Sequence, residues 1–97
     1  MNVEVKAIHF TLGDDAKEYV DKKINRIHNA ENMIIDLIIK ISKDGSAFIA
    51  EANVNFKWGV SAHVKEHDFD LTAAIDKMMD KLEAKITKEK EKNQVKH

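Results

Sequence analysis

Ninety-seven residues with no cysteine and no proline, 34% charged and with a formal net charge of −1, exclude several classes of protein at once. The length fits one domain, and a hydrophobic share of 43% is enough for one core, which argues against wholesale disorder. Without cysteine there is no disulfide scaffold, thiolate metal site or cysteine nucleophile, and the composition fits a reducing cytosol. A near-zero charge sum gives no bulk attraction to a polyanion, so any electrostatic function must lie in how the 16 basic and 17 acidic residues are arranged.

The N-terminal residues MNVEVKAIHF carry Glu4 and no long apolar region, so no signal peptide is expected. No apolar run approaches the roughly 18 residues of a membrane span, and no membrane partner is expected. Residues 2–8 alternate, with Val3, Val5 and Ala7 facing inward, as in a half-buried strand. The period then changes. Leu12, Ala16, Tyr19, Val20, Ile24 and Ile27 form one apolar helical stripe, which predicts a helix over 13–28. Its start is either Thr11 with Asp14 as a capping box or Gly13 followed by two acids, and His28-Asn29 can cap its end.

Residues 33–43 alternate again, with Met33, Ile35, Leu37, Ile39 and Ile41 inward and Ile34 and Ile38 as exceptions. Asp44-Gly45 marks a hairpin turn. Over 47–57 the inward residues are Phe48, Ala50, Ala52, Val54 and Phe56; Trp58-Gly59 then begins a second hairpin, after which Val60, Ala62 and Val64 face inward. From about Asp70 the helical period returns, with Leu71, Ile75, Met78, Met79, Leu82 and Ile86 on one stripe and Asp68 or Asp70 as cap. The expected architecture is a single α+β domain over residues 1–92, of order β-α-β-β-β-α, with 93–97 as a frayed tail. A right-handed β-α-β crossover makes the first two strands parallel. The sheet is then four-stranded and mixed, with two roughly parallel helices packed on one face and a wet face lined by residues such as Asn53, Asn55, Lys57, His63 and Lys65.

On a helical wheel, Lys77, Lys81, Lys85, Lys88 and Lys92 fall within an arc of about 80°. The apolar stripe borders that arc on one side, and Asp76, Asp80, Glu83 and Glu91 gather on the other. The first helix repeats this on a smaller scale with Lys22, Lys23 and Arg26. With parallel helices, one basic flank faces the groove between them and the other an outer edge. The lysine row spans roughly 22 Å, enough to meet several backbone phosphates. Lysines beside an apolar stripe are also common on any soluble helix, and the wheel alone favours that plainer solvated-face reading. Lys77 can reach Asp80, Lys85 can reach Glu89 and Lys88 can reach Glu91, whereas Lys81 has no acid three or four residues away.

Other constellations are weaker. His63 and His67 would share a face on a helix, but on a strand they lie about 13 Å apart, too far for one metal ion. No phosphate loop or nucleophile elbow is present, so no enzyme, metal, cofactor or small-molecule substrate is expected. Trp58 is either folded back onto the core or exposed for stacking; burial of its large ring favours the first.

Two segments resemble the ribosome hibernation promoting factor and ribosome-associated inhibitor A family. In FTLGDDAKEYVDKKINRI, residues 10–27, Tyr19-Val20, Lys23, Arg26 and Ile27 sit where that family has an aromatic-valine pair, spaced basic residues and a large aliphatic. In DLTAAIDKMMDKLEAKITK, residues 70–88, Ala73-Ala74-Ile75-Asp76 and Asp80-Lys81-Leu82 match the family's most recognisable stretch. Gly13, Thr72 and Ala84 depart from the usual threonine, tyrosine and arginine, and Val64 to Phe69 is longer than usual. The sequence ends after the last helix, so the short type is expected, without the family's C-terminal dimerisation domain or acidic tail. The resemblance implies a cytoplasmic, non-enzymatic inhibitor that binds ribosomal RNA of the small subunit. It would cover messenger and transfer RNA sites in starved or stationary cells. A second small ribosome-dimerising factor is a candidate partner. Phosphate contacts would fall to Lys22, Lys23, Arg26, Lys77, Lys81, Lys85, Lys88 and Lys92. The alternative from a different class is a small protein-interaction module without RNA binding, using the wet sheet face or Trp58.

Overall fold

The computed structural model describes residues 1–95. The elements are β1 (Asn2–Ile8), α1 (Asp14–Ile24), a 3-10 helix (Asn25–Met33), β2 (Ile34–Asp44), β3 (Ala47–Phe56), β4 (Ser61–Asp68) and α2 (Leu71–Val95). The four strands lie in the order β1-β2-β3-β4, with β1 parallel to β2 and the remaining pairs antiparallel. This is the expected β-α-β-β-β-α mixed sheet with both helices on one face. α2 packs over β3 and β4, and α1 packs against α2. Of the residues expected to fray, 93–95 continue α2, and 96–97 lie outside the described residues.

Hairpin chemistry closes the meander. Asp44 pairs with Ala47 across the Gly45-Ser46 turn, where Gly45 adopts φ +61. A left-handed backbone at that position matches the twist of the flanking strands and suits a residue without Cβ. Gly59 does the same at φ +86 in the second hairpin.

The first helix departs from expectation. Gly13 is its N-cap, and the α-helix ends at Ile24 with Asn25 as C-cap, not at His28-Asn29. The chain then tightens into the 3-10 helix. Ile24, Ile27, Ala30 and Met33 recur every three residues, and at three residues per turn they stack on one face. Ile27 and Ala30 are buried there.

The second strand departs for a different reason. A bulge sits between Ile34 and Asp36, since Ile34 pairs with Phe56 and Asp36 with the adjacent Asn55. The extra residue reverses the alternation, as a bulge must. Ile34 is therefore fully buried and Ile35, expected inward, is 50% exposed. Val3 and Val60, also expected inward, are each 41% exposed: Val3 lies on an edge strand and Val60 before the start of β4.

The core lies between sheet and helices. Leu37, Ile39, Ile41, Ala50, Ala52, Val54 and Phe56 meet Val20 and α2's Ile75, Met78, Met79 and Leu82, all at most 1% exposed. The bulge gives a clean test. Ile34→Ala should cost about 2–4 kcal/mol in urea denaturation. Ile35→Thr, one residue away, should stay within about 0.5 kcal/mol of the parent.

Candidate nucleic-acid interface

Both helices run in the same direction. The Tyr19 hydroxyl donates to Asp76 Oδ1, and Arg26 Nη2 donates to Glu83 Oε2 at 2.9 Å; both contacts span 57 positions. A constant offset between α2 and α1 with the 3-10 helix that continues it requires the two to run parallel. The seam between them is polar on its outer side. Lys23 Nζ lies 3.3 Å from Asp76 Oδ1 and 5.3 Å from the Tyr19 ring centroid. Arg26 Nε lies 2.8 Å from Glu83 Oε1, and its Nη2 lies 3.9 Å from Asp80. The acidic arc of α2 thus faces the basic flank of α1, and α2's own lysines are turned to the other side, above β4.

That geometry answers where each candidate residue falls. Lys23 and Arg26 are held in the seam, while Lys22 is exposed beside it. On α2, Lys77, Lys81, Lys85, Lys88 and Lys92 are all exposed along the outer edge. The first two are paired with β4, not with their own helix: Lys77 Nζ is 2.8 Å from Asp68 Oδ2, and Lys81 Nζ is 2.5 Å from Glu66 Oε2. Lys22, Lys85, Lys88 and Lys92 form no ion pair among the described residues. The structure therefore splits the row into a paired half near the start of α2 and an open half further along.

Glu66 has no role in the sequence reading and Asp68 figures there only as a helix cap; both pair with α2 lysines. Their signal was present, because the alternation of β4 that puts Ala62 and Val64 inward also puts 66 and 68 inward. Two carboxylates on the helix side of an edge strand need cations, and α2 supplies them. The Lys81 ammonium holds the Glu66 carboxyl below its ordinary range. Asp68 is lowered first by Lys77 and then by the Asp70 backbone N–H, and Lys77 is raised in return.

Trp58 folds back. Its ring stacks on Phe56 with centroids 5.3 Å apart and planes 17° from parallel. Its Nε1–H donates to Glu89 Oε1 at 3.0 Å. Glu89 is therefore engaged by the second hairpin instead of Lys85, and the loop is tied to the C-terminal half of α2. His63 and His67 both lie exposed on β4, with His63 3.7 Å from Glu51. Among the described residues no group of three metal-ligating side chains comes together, and no helix is long and apolar enough to cross a membrane.

A mixed four-stranded sheet, two parallel helices on one face and a row of exposed lysines along the outer edge define a small α+β protein. The chain belongs to the family described as Sigma 54 modulation protein / S30EA ribosomal protein, whose model matches residues 3–94. A ribosome hibernation promoting factor of Pseudomonas putida is 30% identical over 96 residues, covering 97% of this chain and 91% of that protein. The N-terminal domain of Protein Y from Thermus thermophilus superimposes with a TM-score of 0.79 at 29% identity, covering 91% of this chain and 98% of that one. A ribosomal subunit interface protein from Coxiella burnetii shares the fold, with a TM-score of 0.84 at 23% identity, over 93% of this chain and 98% of that one.

The seam has a defined pH dependence. The Tyr19 hydroxyl first, and then the Lys23 ammonium, hold the Asp76 carboxyl below its ordinary 3.8. A carboxyl lowered on folding stabilises the native state above its unfolded pKa, and that contribution is lost as pH falls through the folded value. Asp76→Asn should therefore be less stable than the parent at pH 7, with the gap narrowing as pH falls below about 4. Urea denaturation across pH 2–7 checks the sign. Tyr19→Phe at pH 7 should cost about 1 kcal/mol.

Proposed function

We propose that this chain is a ribosome hibernation factor. It binds ribosomal RNA of the small subunit and occupies the space of messenger and transfer RNA, silencing translation in starved or stationary cells. The observation that carries this reading is the family match over residues 3–94, joined to 30% identity with a hibernation promoting factor along nearly its whole length. The outer-edge lysine row supports it physically. The action is steric: the chain fills a site and no bond is made or broken, in keeping with a family of ribosome-associated proteins. The cytoplasm is its place of work, and a second small ribosome-dimerising factor is a partner on the ribosome.

Lysine meets phosphate as a point charge, so a row of ammoniums on a rigid helix suits a backbone better than a base edge. Shape and phosphate spacing then carry much of the recognition of folded RNA. In this reading Lys22, Lys85, Lys88 and Lys92 contact phosphates directly. Lys77 and Lys81 exchange Asp68 and Glu66 for phosphate oxygens on binding. Lys23 and Arg26 add positive field while keeping the two helices in register.

Co-sedimentation of the protein with purified ribosomal subunits over a salt series tests partner, subunit and electrostatics together. Small-subunit affinity should fall linearly on a log–log plot against salt. Each phosphate contact contributes about 0.7 to 0.9 to the slope, so neutralising Lys81, Lys85 and Lys88 to Gln should reduce it by about 2. Unchanged affinity and slope in that triple variant would refute phosphate gripping by the row. Absence of small-subunit binding by the parent would refute the reading as a whole.

A further inference from the structure

The two edges of the sheet are finished differently. α2 packs against β4, with its lysines paired to that strand's acids. Among the described residues β1, at the opposite edge, pairs only with β2 and leaves its outer row of backbone N–H and C=O groups without a strand partner. Its helix-side residues are also poorly covered, with Val3 41% exposed, Ala7 exposed and Val5 half-buried. A groove of about 430 Å³ lies between this strand and α1, lined by Val5, Ala7, Phe10 and Leu12, with Lys17 and Asp21 on its far side.

Native sheet edges commonly prevent pairing with proline, with a bulge, or with charges that find no counterpart. β1 has no proline, and its seven residues keep an unbroken register with β2. Its two charges, Glu4 and Lys6, stand on the open face 3.5 Å apart and symmetrically about Val5. An antiparallel second copy centred on Val5 therefore sets Glu4 opposite the partner's Lys6 and Lys6 opposite the partner's Glu4. Val5 meets the partner's Val5, and Val3 meets the partner's Ala7. A parallel, in-register pairing would instead oppose like charges, which is unfavourable across strands. Lys6 also stands beside Lys40 in the sheet register, so a second carboxylate on that face offsets two neighbouring ammoniums.

We infer that β1 is a self-complementary edge through which two copies of this chain pair antiparallel about Val5, joining their four-stranded sheets into one continuous sheet. The two-fold arrangement uses the same patch on both copies, as a closed dimer requires. One strand pair with a short apolar seam is a small interface, so the association is weak and concentration-dependent. It leaves both lysine rows free, because β1 and β4 are separated by three strand spacings, roughly 14 Å. The inference therefore stands apart from the ribosome reading and is tested without ribosomes.

Sedimentation of the whole protein from roughly 10 μM to 1 mM should show a monomer–dimer equilibrium. Glu4→Lys or Lys6→Glu, both at exposed sites, turns each pair of opposite charges into like charges and should weaken self-association about tenfold or more. An equimolar mixture of the two variants should associate again, because each then supplies the charges the other lacks. The double variant Glu4→Lys with Lys6→Glu should self-associate like the parent. A parent that stays monomeric over this range would overturn the inference. So would single variants that dimerise as well as the parent, or a mixture that stays monomeric.

Discussion

The rotation of α2 about its own axis is the constraint from which the rest follows. Six of its apolar side chains, Ala74, Ile75, Met78, Met79, Leu82 and Ile86, are buried against the sheet and the first helix. Each large one contributes about 1.5–3 kcal/mol through burial, whereas an exposed ion pair contributes about 0–1 kcal/mol. The apolar stripe therefore decides which way the helix faces, and the charges take the positions left to them. The acids turn toward α1 and the lysines toward the outer edge.

That partition explains how a chain of net charge −1 can carry an open run of lysines on one edge. The acids are not spread evenly over the surface. Asp76, Asp80 and Glu83 neutralise Lys23 and Arg26 in the helix seam, and Glu66 and Asp68 neutralise Lys77 and Lys81 beside β4. What remains is the open stretch at Lys85, Lys88 and Lys92. In the proposed function, such a local cluster attracts a polyanion at one place while the near-neutral total limits indiscriminate binding elsewhere.

The likeness to solved relatives shows how little residue identity the fold needs. Agreement at a TM-score of 0.84 coexists with 23% identity. Conserving the period of each segment is enough to place its apolar face, and many aliphatic choices satisfy one period. Features that depend on particular residues, such as the acids of β4 or the Glu4–Lys6 symmetry of β1, are free to differ from chain to chain within the same architecture.

The order of the four strands and two α-helices, the buried stripe of α2, both hairpins and the segregation of its charges into two arcs were all legible in the sequence. Each is a local pattern, and local periodicity is visible along a single chain. Three things were decided only by the tertiary structure. Tightening into a 3-10 helix after Ile24 depends on where Ile27 and Ala30 find the sheet. The bulge at Ile35 depends on the register with β3. The pairing of Lys77 and Lys81 with Asp68 and Glu66 joins residues on two different elements, and a helical wheel sees only one. Sequence spacing fixes which side chains share a face. What those side chains meet is set by packing, because the partners come from elements whose relative placement the burial of the core determines.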